Sequence, residues 1–522
     1  MSSLLTMIGA AGGSSGPFYF LGAATGASTN NQSQNVFKFS PTEYKGASNL
    51  YDSNGDLYFG YFTVINTTGY EGVGIAKFTG ADGEPVGSQT GLFRKSNNDQ
   101  EVGLYQGPNS LDIDNSTNLV FLVRGDMGSN ERNAVVKLGD SSDGTNPANW
   151  GYNKVKSRYF GDSSFTTNMY GLTKNKESGS DHFYGVGHTQ AVGRGNQMLI
   201  QKYDMNNPTG TPSITWSKYF DNGNSNCNFY SCDSDTSGNL YACGIDDGKA
   251  VVAKFNNSGT NQWARRITGD SSTNHPARSI VCSDDGSDIY VTFYCNNFGS
   301  QSNSYQKVGV SKVNSSTGAL TWSRIITKQN ANEHMEGNCL AIDSSGNWYM
   351  IMEGQSVDSS LSQGIISGDS SGNYRWVTGM KANPLAYGQN DLTYNDRGDK
   401  RWLAVSPDDT ALFFSTTSSS TKNSINYRGM GVVPSDGTGG DNSDFVIDSS
   451  NLNFTNVRYA DLSSSLSLET VSLGTADASG SVSDRSMSNS SAYGNQNSSD
   501  WLTTTSTDKI KNTFGNPYTG NF

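Results

Sequence analysis

Apolar and polar residues alternate with a period of two along most of this chain, and the clearest stretch is SGNLYACGIDDGKAVVAKFNNSGTNQWARRI, from Ser237 to Ile267. Gly238-Asn239 sits between two apolar runs as a tight turn, because Gly and Asn accept the positive φ that hairpin turns demand. Leu240, Ala242 and Gly244 alternate with Tyr241 and Cys243, which predicts a strand with two different faces. Ala250 to Phe255 predicts a second strand, apolar on both faces and with a Lys near its end. Asn257-Ser258-Gly259 turns the chain again, and Gln262 to Ile267 predicts a third strand with Trp263 near its start. With one strand ahead of Gly238, the unit is a four-stranded antiparallel blade.

The same grammar recurs. SSTGALTWSRII at 315–326, SSGNYRWVTGM at 370–380 and SITWSKYF at 213–220 repeat the end of the unit. The segments at 343–349, 284–290 and 52–58 repeat its beginning. The aromatic marks fall at Tyr58, Phe121, Tyr184, Tyr241, Tyr290, Tyr349 and Phe413, at intervals of 49 to 64 residues, and the Lys recurs as Lys38, Lys77, Lys137, Lys202, Lys254 and Lys312. Strand marks that persist while the spacing varies indicate loops of variable length on a propeller rim. Seven first strands are expected, near Leu50, Leu111, Leu172, Cys232, Val281, Leu340 and Leu403. The fold class expected is therefore all-β: a β-propeller of four-stranded antiparallel blades, seven in number with eight as the alternative, rather than a β-sandwich array or a β-helix. Residues such as Tyr241, Val251, Phe255, Trp263, Val281, Tyr290, Trp322 and Ile342 are its expected core.

These segments resemble the SGNxYxxG…KxxxxGxxxW repeats of bacterial surface and secreted β-propellers, the SBBP or PQQ-like repeats. The resemblance covers roughly residues 17 to 440. It implies architecture and leaves activity open, since such propellers bind many things and catalyse few.

Composition supports a chain of short strands and turns. Among 522 residues there are 60 Gly, with 11% aromatic and only 34% apolar residues. The net charge of −12 and the lack of any Lys/Arg cluster speak against a nucleic-acid partner, which would need clustered cations for phosphates. The six cysteines, Cys227, Cys232, Cys243, Cys282, Cys295 and Cys339, include no CxxC pair. Several occupy apolar strand positions, so they read as reduced core residues rather than disulfides or a zinc site.

Along the chain, residues 1–16 read as an N-terminal docking arm: Leu4, Leu5, Met7 and Ile8, then a Gly/Ser-rich run. Its apolar part is too short and interrupted for a membrane span, and it lacks the basic n-region of an export signal. This opening resembles those of structural, tail- or fibre-type proteins of marine tailed phages such as cyanophages, over about 25 residues. Residues 17–434 form the expected propeller. Strands at Phe18 to Leu21 and Val36 to Phe39 are expected to close the ring against residues 402–434. Residues 435–474 read as a short-strand β extension that either forms an extra sheet or packs along the propeller side. Residues 475–522 read as a low-complexity tail, Ser/Asn-rich and disordered if alone, ending in Trp501, Phe514, Tyr518 and Phe522.

Candidate chemistry is sparse. Asp52, Asn54 and Asp56, and Asp233 and Asp235, place oxygens at alternate positions, as a calcium loop begins; no acidic residue closes either loop, and these are also ordinary turn residues. Among the four histidines, His182, His188, His275 and His334, the first two flank one strand and can share a side, where a structural role outweighs a ligand role. No HExxH, GxSxG or Walker loop occurs, and Gly193 to Gly195 is too short for a phosphate cradle and reads as a hairpin tip. Trp216, Trp263, Trp322 and Trp376 repeat at one blade position, where inter-blade packing outweighs sugar stacking. No catalytic, cofactor or metal residue is assigned.

The resulting expectation is a non-enzymatic virion structural protein of a tailed phage, displayed on tail, fibre or head appendage. It would be held to other virion proteins by its arm and tail, be homo-oligomeric in the particle, and contact host surface polysaccharide by multivalent display. The alternatives are a secreted or cell-surface propeller adhesin and a polysaccharide-degrading propeller enzyme.

Overall fold

A computed structural model describes residues 19–24, 48–64, 71–78, 91–95, 104–116, 118–126, 131–138, 155–160, 166–190, 195–206, 212–221, 226–268, 276–295, 307–328, 335–355, 361–382, 403–420, 425–437, 445–447, 457–461, 467–471, 474–477, 482–484 and 487–489. The expected docking arm, the strand at Val36 to Phe39 and the aromatic C-terminal end lie outside them.

Every element among the described residues is a strand or a turn. The first strand, β1 (Tyr19–Ala24), pairs with a strand far along the chain. Sheet I holds β2 (Ser48–Tyr51), β3 (Leu57–Val64), β4 (Glu71–Phe78) and β5 (Gly91–Lys95). Sheet II holds β6 (Leu104–Ile113), β7 (Leu119–Asp126), β8 (Glu131–Leu138) and β9 (Val155–Phe160). Sheet III holds β10 (Thr167–Lys174), β11 (His182–Thr189), β12 (Gln197–Asp204) and β13 (Ser213–Asp221). Sheet IV holds β14 (Cys227–Ser234), β15 (Leu240–Asp246), β16 (Lys249–Phe255) and β17 (Asn261–Thr268). Sheet V holds β18 (Ala277–Cys282), β19 (Asp288–Cys295), β20 (Lys307–Asn314) and β21 (Leu320–Lys328). Sheet VI holds β22 (Met335–Ile342), β23 (Trp348–Gln355), β24 (Leu361–Gly368) and β25 (Tyr374–Ala382). Sheet VII holds β26 (Leu403–Val405), β27 (Ala411–Ser420) and β28 (Ile425–Pro434), and β1 joins it as the outer strand, pairing Tyr19 with Val432 and Ala24 with Arg428.

The strand pairings among the described residues are antiparallel, and strands one to four of sheets I–VI, like β26 to β28, follow chain order, which is the meander of a propeller blade. The first strands pack side by side in a cycle that closes: β2 on β6, β6 on β10, β10 on β14, β14 on β18, β18 on β22, β22 on β26, and β26 back on β2. Each carries the residue expected to mark it, from Leu50 in β2 to Leu403 in β26. The described 1–2 and 3–4 turns share one end of the ring, the turn face. The opposite ends of the same strands make up the other end, the loop face.

The four-stranded antiparallel blades stand as expected, and the C-terminal extension adds to them. Six of the sheets have five strands, and the fifth comes from the C-terminal extension. After β28 the chain travels back around the ring, adding β29 (Phe445–Ile447) to sheet VI, β30 (Val457–Asp461) to V, β31 (Ser467–Thr470) to IV, β32 (Gly474–Asp477) to III, β33 (Val482–Asp484) to II and β34 (Met487–Asn489) to I. Among the described residues the extension makes no sheet of its own, and the position 474/475 falls inside β32. We call this run the belt. Each belt strand starts at the loop-face end of its partner and covers about half of it: β31 pairs Ser467 with Thr268 and Thr470 with Arg265. The physical reason is edge satisfaction, since a blade's fourth strand otherwise presents a row of open N–H and C=O groups.

The core lies between sheets. Tyr184, Val186, Met198, Ile200 and Phe220 of sheet III interlock with Phe229, Cys232, Leu240, Val251 and Phe255 of sheet IV. Of the expected core residues, Tyr241, Val251, Phe255, Trp263, Tyr290 and Trp322 are buried, while Val281 and Ile342 are only partly so. Cys227, Cys232, Cys243, Cys282 and Cys339 are buried free thiols.

Candidate functional site

The recurring polar residues take their places in turns and between sheets. In the 1–2 turn of sheet IV, Asp235 Oδ1 accepts hydrogen bonds from the backbone N–H of Ser237 and Asn239, both at 2.9 Å. Its Oδ2 accepts from Asn239 Nδ2 at 2.9 Å and from the Tyr241 hydroxyl at 2.8 Å. Asp343, Asn347 and Tyr349 repeat this in sheet VI, and Asp52 with Tyr58 in sheet I. The D-x-x-G-N-x-Y motif is thus a carboxylate-centred turn that ties its tyrosine to its own loop. Burial raises the hydroxyls of Tyr241 and Tyr349, the latter to about 12, and the Asp235 and Asp343 carboxylates that accept from them raise them further. Asp233 works between sheets, accepting from the Cys282 N–H at 3.0 Å, as Asp112 accepts from the Lys174 N–H at 3.0 Å. Both Asp-rich loops thus use their carboxylates in structure, and no three metal-binding side chains converge among the described residues.

Trp and Lys also join neighbours. Trp263 Nε1 donates to the Ser315 carbonyl at 2.9 Å, Trp322 to Ser370 at 3.1 Å and Trp376 to Ser435 at 3.2 Å, each in the 3–4 turn of the next sheet or its equivalent. Gly318 has a φ of 69°, and a Cβ there would lie 2.8 Å from the Trp263 ring, so glycine is needed both for the turn and for the indole it receives. Lys312 lies 5.4 Å from the Tyr290 ring centroid, 2.8 Å from the Asp288 carboxylate, and donates to the Ser370 carbonyl at 3.2 Å.

His182 and His188 sit at opposite ends of β11, about 20 Å apart at strand rise, so they do not form a pair. His182 lies beside Ser180, 3.2 Å from Nδ1 to Oγ; burial, with Lys202 adding to it, lowers its proton affinity. His275, His334, Gly193 and Arg194 lie outside the described residues; Gly195 takes a φ of 93°.

His188 belongs to a group that sequence reading did not find. The first strands are bulged at corresponding places: register shifts skip Tyr170 in β10, Tyr230 in β14, Arg278 in β18 and Asn338 in β22. A bulge shifts the residue skipped by the register, and these positions lie toward the loop-face ends of their strands. Tyr170 packs against His188 with ring centroids 5.5 Å apart and edge-on against Tyr230 at 5.6 Å. The Arg278 guanidinium lies over Tyr230 at 5.3 Å and over Tyr294 at 5.1 Å. Beside them runs a chain of amides: Gln190 Nε2 to Asn196 Oδ1 at 2.9 Å, Asn196 Nδ2 to Asn228 Oδ1 at 3.2 Å, and Asn228 Nδ2 to Asn226 Oδ1 at 3.2 Å. A signal was present in the glycines. A Cβ at Gly244 would overlap the Asn228 carbonyl oxygen, and one at Gly187 that of Asn168. The last glycine of SGNLYACG thus leaves room for the bulge that turns Tyr230 inward.

No family model and no curated protein matches the chain. Solved structures similar to it include a polysaccharide lyase, at 10% identity over 80% of this chain and 99% of that chain, with a TM-score of 0.39. Others are a quinoprotein alcohol dehydrogenase-like protein from Bacteroides thetaiotaomicron, at 12% identity over 65% of this chain and 68% of that one (TM-score 0.34), and the NanB sialidase from Streptococcus pneumoniae, at 11% over 77% and 70% (TM-score 0.34). Likenesses of this order say nothing about activity.

Proposed function

We propose that this chain is a non-enzymatic structural protein of a tailed-phage particle, a propeller ring displayed on tail, fibre or head appendage with its loop face toward host surface glycans. The closed cycle of seven first strands supports a ring of seven blades. One observation carries the reading: the recurring Asp, Lys, Tyr and Trp residues are engaged in turns and in contacts between sheets, which favours a rigid scaffold. Near the loop-face ends of the first strands aromatic rings and carboxamides gather too, packed against and hydrogen-bonded to one another. The particle assignment rests on the resemblance of the N-terminal segment. Attachment would be multivalent, several weak contacts on one symmetric particle adding up to firm adhesion.

Mass spectrometry of purified particles tests this reading. The protein should be abundant in them, and the purified chain should bind host surface polysaccharide without shortening it. Absence from particles would move the reading to a secreted or cell-surface adhesin, which the repeat resemblance supports; new reducing ends on incubation would make it an enzyme.

A further inference from the structure

The lysine that recurs on the third strands reaches the 3–4 turn of the next sheet, and what it meets there differs. Lys137 pairs with the Asp114 carboxylate at 2.6 Å and donates to the Met205 carbonyl at 2.9 Å. Lys312 pairs with Asp288 at 2.8 Å and donates to the Ser370 carbonyl at 3.2 Å. In both cases the acceptor in the turn is backbone. In sheet III the lysine is Lys202 of β12, and its Nζ donates instead to the side-chain carbonyl of Asn257, in the turn between β16 and β17. An amine is thereby placed against a carboxamide, whose carbon can accept a nucleophile and release ammonia.

The neighbours suit that reaction. Glu177, in the 1–2 turn of sheet III, accepts from Asn257 Nδ2 at 2.7 Å and is itself placed by its N–H, which donates to Asn175 Oδ1 at 3.0 Å. The Tyr184 hydroxyl lies 2.9 Å from Asn257 Oδ1 and 2.8 Å from the Gly238 carbonyl, and its ring centroid is 5.6 Å from Lys202 Nζ. Gly238 leaves the room in which these groups meet: a Cβ there would lie 3.2 Å from Glu177 Oε2 and 3.3 Å from Asn257 Nδ2. Lys202 is only 7% exposed, and burial lowers its proton affinity although Glu177 and Asp204 oppose the shift. Burial, with Glu177 and Asp235 adding to it, keeps the Tyr184 hydroxyl protonated and so able to donate. A lysine eased toward its neutral form is a nucleophile, and a donor fixed at a carbonyl oxygen stabilises the charge that develops there during attack. Glu177 is exposed, which gives departing ammonia a way out.

We infer that Lys202 and Asn257 join spontaneously in an isopeptide bond that ties sheet III to sheet IV, with Glu177 carrying the protons and Tyr184 donating to the carbonyl oxygen. Glu177 takes one proton from the Lys202 ammonium. The Nζ electron pair then attacks Asn257 Cγ, and the carbonyl pair moves onto Oδ1. As the carbonyl re-forms, the Cγ–Nδ2 bond breaks, and Nδ2 takes a second proton from Nζ, relayed by Glu177, to leave as ammonia. The ammonia carries off the proton that Glu177 still holds and departs as ammonium, so the carboxylate is restored. One amide replaces another, and nothing is oxidised or reduced. The fold supplies the rate by holding the amine against the carboxamide, which makes the step intramolecular.

The test is the intact mass of the full-length chain, followed by proteolysis under denaturing conditions and sequencing of the peptides by tandem mass spectrometry. The chain should be lighter than its sequence by one ammonia, and a branched peptide should join the segment holding Lys202 to the segment holding Asn257. A full sequence mass, or a missing ammonia with the two segments in separate peptides, would overturn the inference; both readouts use the unaltered protein and do not depend on how a variant folds. In Lys202→Arg the branched peptide should be absent. Sampled over time after cell-free synthesis, the bond should form about a hundredfold more slowly in Glu177→Gln than in the unaltered chain. An equal rate in that variant would overturn the role given to Glu177.

Discussion

The four inner strands of a sheet and the belt strand outside them satisfy the same backbone groups by different means. In β15 all seven residues are buried, and its two faces pack toward neighbouring sheets. Belt strands are three to five residues long, and Val471, just after β31, packs on the core, its N–H donating to the Ala264 carbonyl at 3.2 Å. What recurs along the belt is charge register. Asp461 stands opposite Arg324, Glu469 opposite Arg266, Asp477 opposite Lys218 and Asp484 opposite Arg158. Opposite charges across an antiparallel pair contribute about 0.2–1 kcal/mol each. The inner strands are thus specified by burial, while the belt pairs by its ladder in a register that sets acidic residues opposite basic ones.

Deleting the belt should have the largest effect. A chain ending at residue 437 loses a strand from six sheets, and at about 1 kcal/mol per ladder bond the cost is on the order of 5 kcal/mol or more. Urea unfolding should show a lower midpoint, and the opened edges should promote association. An unchanged midpoint would mean that the belt only decorates the rim. Gly244→Ala comes next, because its Cβ would overlap backbone that has nowhere to move. A loss of about 3 kcal/mol is expected, together with altered tyrosine fluorescence from the ring centre. Asp235→Ala should cost about 2 kcal/mol by leaving the Tyr241 hydroxyl and turn amides without their acceptor. Asp477→Lys, which sets like charges opposite each other, should cost about 0.5 kcal/mol, recovered by Lys218→Glu in a double-mutant cycle. If the pair shows no coupling, charge register does not position the belt.

The smallest effect is that of pH on His182. Its folded-state proton affinity is lowered, so as pH falls through about 6.5 the unfolded chain takes up the proton first and stability declines. His182→Gln should flatten that part of the pH–stability curve, and an identical slope would show that His182 does not contribute.

How much of this could be read from sequence follows the same division. The Gly-Asn turns, the Tyr and Trp marks and the four-stranded antiparallel unit were legible because burial imposes a strict period on residues such as Leu240, Tyr241 and Trp263. The inter-sheet role of the tryptophans was legible because one residue type recurs at one blade position. The belt was not, since strands such as Gly474–Asp477 and Met487–Asn489 carry too few apolar residues for periodicity to register. Its trace was the spacing of Asp461, Glu469, Asp477 and Asp484, which gains meaning only beside Arg324, Arg266, Lys218 and Arg158. The loop-face cluster was hidden for another reason. Bulges break the period of two at the very residues they aim, so Tyr170, Tyr230 and Arg278 look like ordinary members of their strands.

The central claim, that the C-terminal extension completes the sheets, is tested most directly by amide hydrogen exchange on the full chain and on a chain ending at residue 437. The account predicts slow exchange in 457–461, 467–470 and 474–477 of the full chain, and faster exchange in β13, β17 and β21 once the belt is gone. Immediate exchange throughout 457–477 in the full chain, with β13, β17 and β21 equally protected in both, would contradict it.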